Sequence, residues 1–159
     1  MRILPTEPAG LVLEVESADE WPMLTGILRD ARLAGFDPAN HVSGPMRAGD
    51  AGGDWEEFVL PELREGFEEH LRTVLKALED ARYKSGGGPA SVRIPHGAMF
   101  HWYAALNQAR LALENRYRFT TGIQENPENG PAAERRSAYY RSQFYCALQC
   151  HLLDHGIDG

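Results

Sequence analysis

The spacing of hydrophobic and polar positions changes several times along the chain, and each change predicts an element. "LVLEVES" sets Leu11, Leu13 and Val15 against Val12, Glu14 and Glu16, the two-residue repeat of a short strand. Ser17 and Glu20 then form a capping-box pattern ahead of Trp21, Leu24, Ile27, Leu28 and Ala31, whose three- and four-residue steps predict a helix. Pro22 is tolerated only in a first turn, so the regular helix is expected to begin near Trp21. The cleanest periodicity is Leu60, Leu63, Phe67, Leu71, Val74, Leu78 and Ala81. Pro61 suits its start, residues 55–59 a separate turn or kinked lead-in, and "SGGGP" its stop. "SVRIP" predicts a second strand at 92–94, and a helix should follow over about 97–118. Pro131 is placed to open a last helix through about residue 153, on which Tyr140, Phe144, Leu148 and Leu152 step by four with Ala147 alongside.

The intervening stretches are polar. Residues 35–54 are rich in Gly, Pro, Asp and Asn and predict a long, mobile loop, closed by a cap-like Asp54 and Glu57. "TTGIQENPENGP" predicts another loop. "LEVESADEWPMLTGILRDARL" and "VRIPHGAMFHWYAALNQARL" echo each other as strand, turn and helix, so the two strands should pair and the two helices pack side by side. The expected fold is mainly α: four main helices in bundle-like packing, two short strands forming a minimal sheet, and a single domain over 1–159.

Composition narrows the function without naming it. A chain of 159 residues with 43% hydrophobic and 25% charged positions is ordinary globular material. The net charge of -7 argues against nucleic acid as a general partner but leaves room for a local basic patch. "MRILPTEPAG" lacks the apolar core of a signal peptide, and no run approaches the roughly 18 apolar residues of a membrane span. Cys146 and Cys150, four apart in a helix, suit a disulfide poorly, so two reduced, core-filling thiols and a cytoplasmic protein are expected. His151 and His155 share a helix face roughly 100° from the cysteines, too far round for one ion to take all four, and no metal or cofactor is expected. Glu-x-x-His, His-Glu-x-x-His, Gly-x-Ser-x-Gly and Walker patterns are absent from the sequence.

The chemistry that stands out lies in "WYAALNQARLAL", where Asn107 and Arg110 interrupt an apolar helix. At about 100° per residue, Tyr103, Asn107, Arg110, Glu114 and Tyr117 fall within an arc of about 80°. Leu106, Trp102 and Leu113 flank this ridge on one side and Phe100, Leu111 and Ala104 on the other, while His101, Gln108 and Asn115 point outward. Arginine cannot shed its charge, so a buried Arg110 needs partners. Glu114 is within reach four residues on, and the remaining donors must meet backbone carbonyls, another chain or a ligand. One reading is a structural network; the other is a small-anion site with Arg110 as clamp and Tyr103 and Tyr117 as walls. Elsewhere, residues 54–80 carry nine acidic side chains against Arg64, Arg72 and Lys76, a solvated face or a dock for a basic partner. The later helices are mildly basic through Arg110, Arg116, Arg118, Arg135, Arg136 and Arg141, and the aromatic density of "YYRSQFYCALQ" suits both a core and a self-association surface.

"VRIPHGAMFHWYAALNQARLALENRY" resembles the helix of a bacterial family known as domain of unknown function 2017, abundant in actinobacteria. A short "VRL" strand there precedes W-L-x-A-L-N-D-x-R-L; Trp102, Ala105, Leu106, Asn107, Arg110 and Leu111 match, and Gln108 replaces an acidic residue. Leu71 and Arg72 fit its "F-R-x-x-x-x-x-D-L-R" helix. Phe144, Leu148, Gln149 and Leu152 resemble its "W-L-x-W-L-Q" ending, from which Tyr145 and Ala147 depart. The resemblance implies no established activity; members encoded near the adaptor of the Clp protease point towards proteolysis or regulation. The leading expectation is a non-catalytic interaction or regulatory protein with a protein partner or a second copy of itself. The alternative is a small-anion-binding protein or enzyme using Tyr103, Asn107, Arg110, Glu114 and Tyr117.

Overall fold

The computed structural model describes residues 1–44, 52–121 and 132–157. Strands β1 (Arg2–Pro5), β2 (Gly10–Val15) and β3 (Ala90–Pro95) form an antiparallel sheet in that order. The alternation in "LVLEVES" is realised as expected: Leu11, Leu13 and Val15 are buried, with Leu11 opposite Ile94 and Leu13 opposite Val92. The two anticipated strands do pair, but a third, β1, adds to the outer edge of β2 with Ile3 opposite Leu13. A four-residue strand ending in proline carries too short a pattern to be seen in sequence. Gly10 makes the intervening turn possible, since a Cβ there would meet Thr6 Oγ1 at 2.7 Å and the Ile94 carbonyl at 2.9 Å.

Among the described residues five main helices follow: α1 (Trp21–Ala31), α2 (Pro38–Ser43), α3 (Leu60–Lys84), α4 (His96–Tyr117) and α5 (Ala132–Leu152). α1 begins at Trp21 as Pro22 required, although Ser17 makes no side-chain cap. Glu20 reaches back instead to the Glu16 N–H at 2.8 Å and to the Met1 ammonium. α2 corrects the reading of 35–54 as loop. Asp37 caps it through the Ala39 and Asn40 N–H groups at 3.0 and 3.4 Å, and Pro38 opens it. Six residues hold too few turns for periodicity, so the Asp-Pro start passes for turn chemistry; residues 45–51 of that stretch lie outside the described chain. Trp55–Val59 is a π-helical lead-in to α3, where Asp54 gives no side-chain cap, and positive φ at Gly86 and Gly87 ends the helix. Phe119–Thr121 forms a 3-10 turn, and the rest of the predicted polar loop, with Pro131, is outside the described residues.

α4 is the structural centre, packed by α1, α3, α5 and the sheet. Met99, Trp102, Ala105, Leu106, Ala109, Ala112 and Leu113 are all essentially inaccessible. On α5 the core face is set by Ala138, Ser142, Tyr145, Leu148, Gln149 and Leu152. That is a rotation from the expected stripe: Tyr140 is 67% exposed and Ala147 faces solvent. Cys146 is half-buried and Cys150 exposed, both free, so Cys150 does not fill the core as expected. Among the described residues no helix is long and apolar enough to cross a membrane.

Candidate functional site

Enclosure of α4 decides the fate of the polar ridge. A helix covered on most sides has no single inward face, so angular position alone does not fix burial. Asn107 is exposed, whereas Gln108, expected to point outward, is 2% exposed and donates to the Phe67 carbonyl at 3.3 Å. Arg110 Nη1 donates to Gln149 Oε1 at 2.6 Å, and Gln149 Nε2 donates to the Tyr103 carbonyl at 3.2 Å. The Arg110 Nε–H is buried with no acceptor. Glu114, expected to meet Arg110, accepts instead from the Thr120 N–H and hydroxyl at 3.2 and 2.6 Å. Tyr117 is 3% exposed and its hydroxyl donates to Glu134 at 2.6 Å; burial, then that bond, raises its pKa. Arg135 caps the end of α4 through the carbonyls of Tyr117 and Arg118 at 3.1 and 3.3 Å. Tyr103 and Arg110 are therefore joined through Gln149, Glu114 and Tyr117 serve the helix end, and Asn107 stands apart.

The most deeply buried charge is one that sequence reasoning missed. Asp30 on α1 is 1% exposed and receives Arg141 of α5 by two nitrogens, Nε at 2.6 Å and Nη2 at 3.2 Å. The Tyr145 hydroxyl donates to the same carboxylate at 2.8 Å, and Ser137 Oγ holds Arg141 Nη1 at 2.9 Å. Burial, then the Asp30 charge, pushes the Tyr145 pKa far up, so it stays a donor. Gly26 makes room: a Cβ there would lie 2.9 Å from the Tyr145 hydroxyl and 3.4 Å from Arg141 Cδ. One signal was available, because Asp30 falls three residues after Ile27 on the apolar stripe of α1.

Above this clamp, α1 and the first half of α5 leave an open groove of about 600 Å3. Pro22, Met23 and Tyr140 give it apolar walls; Arg29 and Arg136 are exposed along it beside Asp19, while Arg141 enters it already paired with Asp30. An aromatic band continues from it: Tyr140 against Tyr139 at 6.2 Å, Tyr139 against Phe119 at 5.5 Å, with the Arg135 guanidinium 5.6 Å over the Phe119 ring. Tyr139 and Tyr140 are 46% and 67% exposed. On the far side, His70 of α3 and His101 of α4 face each other with Nδ1 atoms 2.9 Å apart, beside the rings of Phe67 and Phe100. Burial, and then the neighbouring His101, hold the His70 pKa below its ordinary value.

Comparison with known proteins gives a match over residues 1–155 to the model of the family described as domain of unknown function, DUF2017. No curated protein matches the chain, and no solved structure does. Arg110 and Gln149, quoted from two separate stretches of the resemblance, are hydrogen-bonded partners that tie α4 to α5.

Proposed function

Because the chain belongs to the DUF2017 family, whose description carries no activity, we propose from geometry that it is a non-catalytic protein-interaction module. Its docking surface is the α1/α5 groove with the tyrosine band beside it. One observation carries the reading: exposed tyrosines lie side by side with the exposed Arg29 and Arg136, residue types that anchor interfaces, on a molecule of net charge -7. Beneath them Asp30, Arg141 and Tyr145 satisfy one another.

The occupant is the acidic face of a second copy of the chain. The first half of α3 exposes Glu62, Glu65, Glu68 and Glu69 against Arg64 and Arg72, the opposite sign to the groove. A two-fold arrangement would place each α3 on its partner's groove simultaneously, closing both contacts. Sedimentation at low and high salt tests this. A dimer at low salt is expected, dissociating as salt rises and lost in Arg136→Glu combined with Tyr140→Ala. A chain that remains monomeric at low salt at every concentration overturns the reading.

A second reading, a small-anion site at Tyr103 and Arg110, draws support from the unaccepted Arg110 Nε–H. Thermal stabilisation by sulfate or phosphate that disappears in Arg110→Met would establish it, and stabilisation equal in both proteins would dismiss it.

A further inference from the structure

A cavity of about 370 Å3 lies where α1, α2 and α3 meet over the middle of α4. Ala31, Phe36, Pro38, Phe67 and Leu71 make its walls apolar, and two of these are aromatic rings. Gln108 of α4 forms part of its floor and is 2% exposed.

Two ion pairs stand at the mouth. Arg32, just past the end of α1, reaches Glu68 of α3 at 3.1 Å, and Arg64 of α3 reaches Asp37, the cap of α2, at 2.9 Å. All four side chains line the cavity, and their charges cancel. Each guanidinium already has a carboxylate, so an ionic ligand would gain one contact only by displacing another. The rim therefore favours a neutral molecule.

A partner is missing at the floor. Gln108 Nε2 donates to the Phe67 carbonyl at 3.3 Å, but its Oε1 accepts from no donor among the described residues. The Phe67 carbonyl fixes which way the amide points, since turning it over would set two acceptors together. Gln149, the other buried glutamine, uses both ends: Oε1 accepts from Arg110 at 2.6 Å and Nε2 donates to the Tyr103 carbonyl at 3.2 Å. The Trp102 and Arg110 N–H groups that lack acceptors are sealed in, whereas the cavity reaches Gln108. An acceptor held between apolar walls and open to a cavity calls for a donor brought from outside.

We infer that this cavity is a binding site for a small neutral aromatic molecule carrying one N–H or O–H donor. Its ring packs against Phe36, Phe67 and Leu71, and its donor reaches Gln108 Oε1. The two ion pairs cover its outer edge. The α1/α5 surface contributes nothing to it. Glu68 also belongs to the acidic face assigned to self-association, so binding is measured at high salt, where that contact is dissociated and the two readings separate.

Indole is the probe, and benzofuran, the same fused rings with an ether oxygen in place of the N–H, is the comparison. Binding is followed in proton–nitrogen correlation spectra of the full chain, with the Gln108 side-chain amide assigned by its loss in Gln108→Leu. Indole should shift that amide saturably at millimolar concentration or below. Benzofuran should bind about fivefold more weakly, the worth of one neutral hydrogen bond. Gln108→Leu, read from the backbone resonances of Phe67 and Leu71, should bind both probes equally. Phe36→Ala, at a half-buried position, should weaken both by about fivefold or more. No saturable response to indole overturns the site. Equal affinity of the two probes for the unaltered chain, or a preference for indole that survives Gln108→Leu, overturns the assignment of the donor to Gln108.

Discussion

Two polar regions of this molecule handle charge in opposite ways. At the α1/α5 contact Asp30 is 1% exposed and accepts from Arg141 and Tyr145, with Gly26 shaped to fit the hydroxyl. Along the groove between α3 and β3 the cations Lys76, Lys84 and Arg93 stand in solvent, unpaired among the described residues, above the Trp102 indole with no acceptor. The first region is closed: its partners come from the chain, and removing Asp30 leaves the buried Tyr145 hydroxyl without its acceptor. The second is open: its side chains stabilise little in the fold and are free to meet something else. Burial of a charge thus marks architecture here, and an exposed charge without a partner adds little to the fold.

The comparison breaks most severely at Asp30. Asp30→Ala leaves the buried Tyr145 hydroxyl without its acceptor and the half-buried Arg141 with Ser137 alone, and should cost about 3 kcal/mol in denaturant unfolding; a loss no larger than that of a surface substitution would mean the clamp is solvated. Gly26→Ala pushes a methyl against the Tyr145 hydroxyl and should cost about 1–3 kcal/mol, read as a lowered urea midpoint. An intermediate effect comes from the histidine pair between α3 and α4. Folding holds the His70 pKa below its ordinary value of 6.5, so the unfolded chain binds the proton more readily. The stability contributed there is present above about pH 6.5 and is lost as pH falls through the folded-state value. Thermal midpoints should therefore drop on acidification below pH 6.5, and His70→Gln should flatten that slope. The smallest effect belongs to the open groove: Lys84→Gln and Arg93→Gln, both at exposed positions, should leave the unfolding midpoint where it is. A substantial fall in stability would show that these cations are structural after all.

Much of the fold was legible because its elements advertise themselves locally. β2, β3, α1, α3 and α4 each carry enough repeats of their own period to be placed within a few residues. β1 and α2 were too short for that, and the stripe on α5 was misplaced because aromatic residues occupy both its core and solvent faces, Tyr145 on one and Tyr140 on the other. The ridge on α4 was legible in part. Tyr103 and Arg110 do share an environment, through Gln149, while Asn107 faces out and Glu114 turns to Thr120. Gln108 became the buried amide because α3 covers the side of α4 that the ridge left outward.

Period and punctuation alone determined a helical chain with a small sheet, and the quoted motifs placed it in its family. Tertiary structure alone decided which charges are spent on the fold. Arg141 finds Asp30 across 111 positions of sequence, and Arg93 meets the α3 lysines only because the chain doubles back after residue 85. Spacing along a chain fixes local geometry, since it acts through backbone bonds a few residues apart. The partner of a charged group is set by which surfaces pack together, and that is a property of the whole fold.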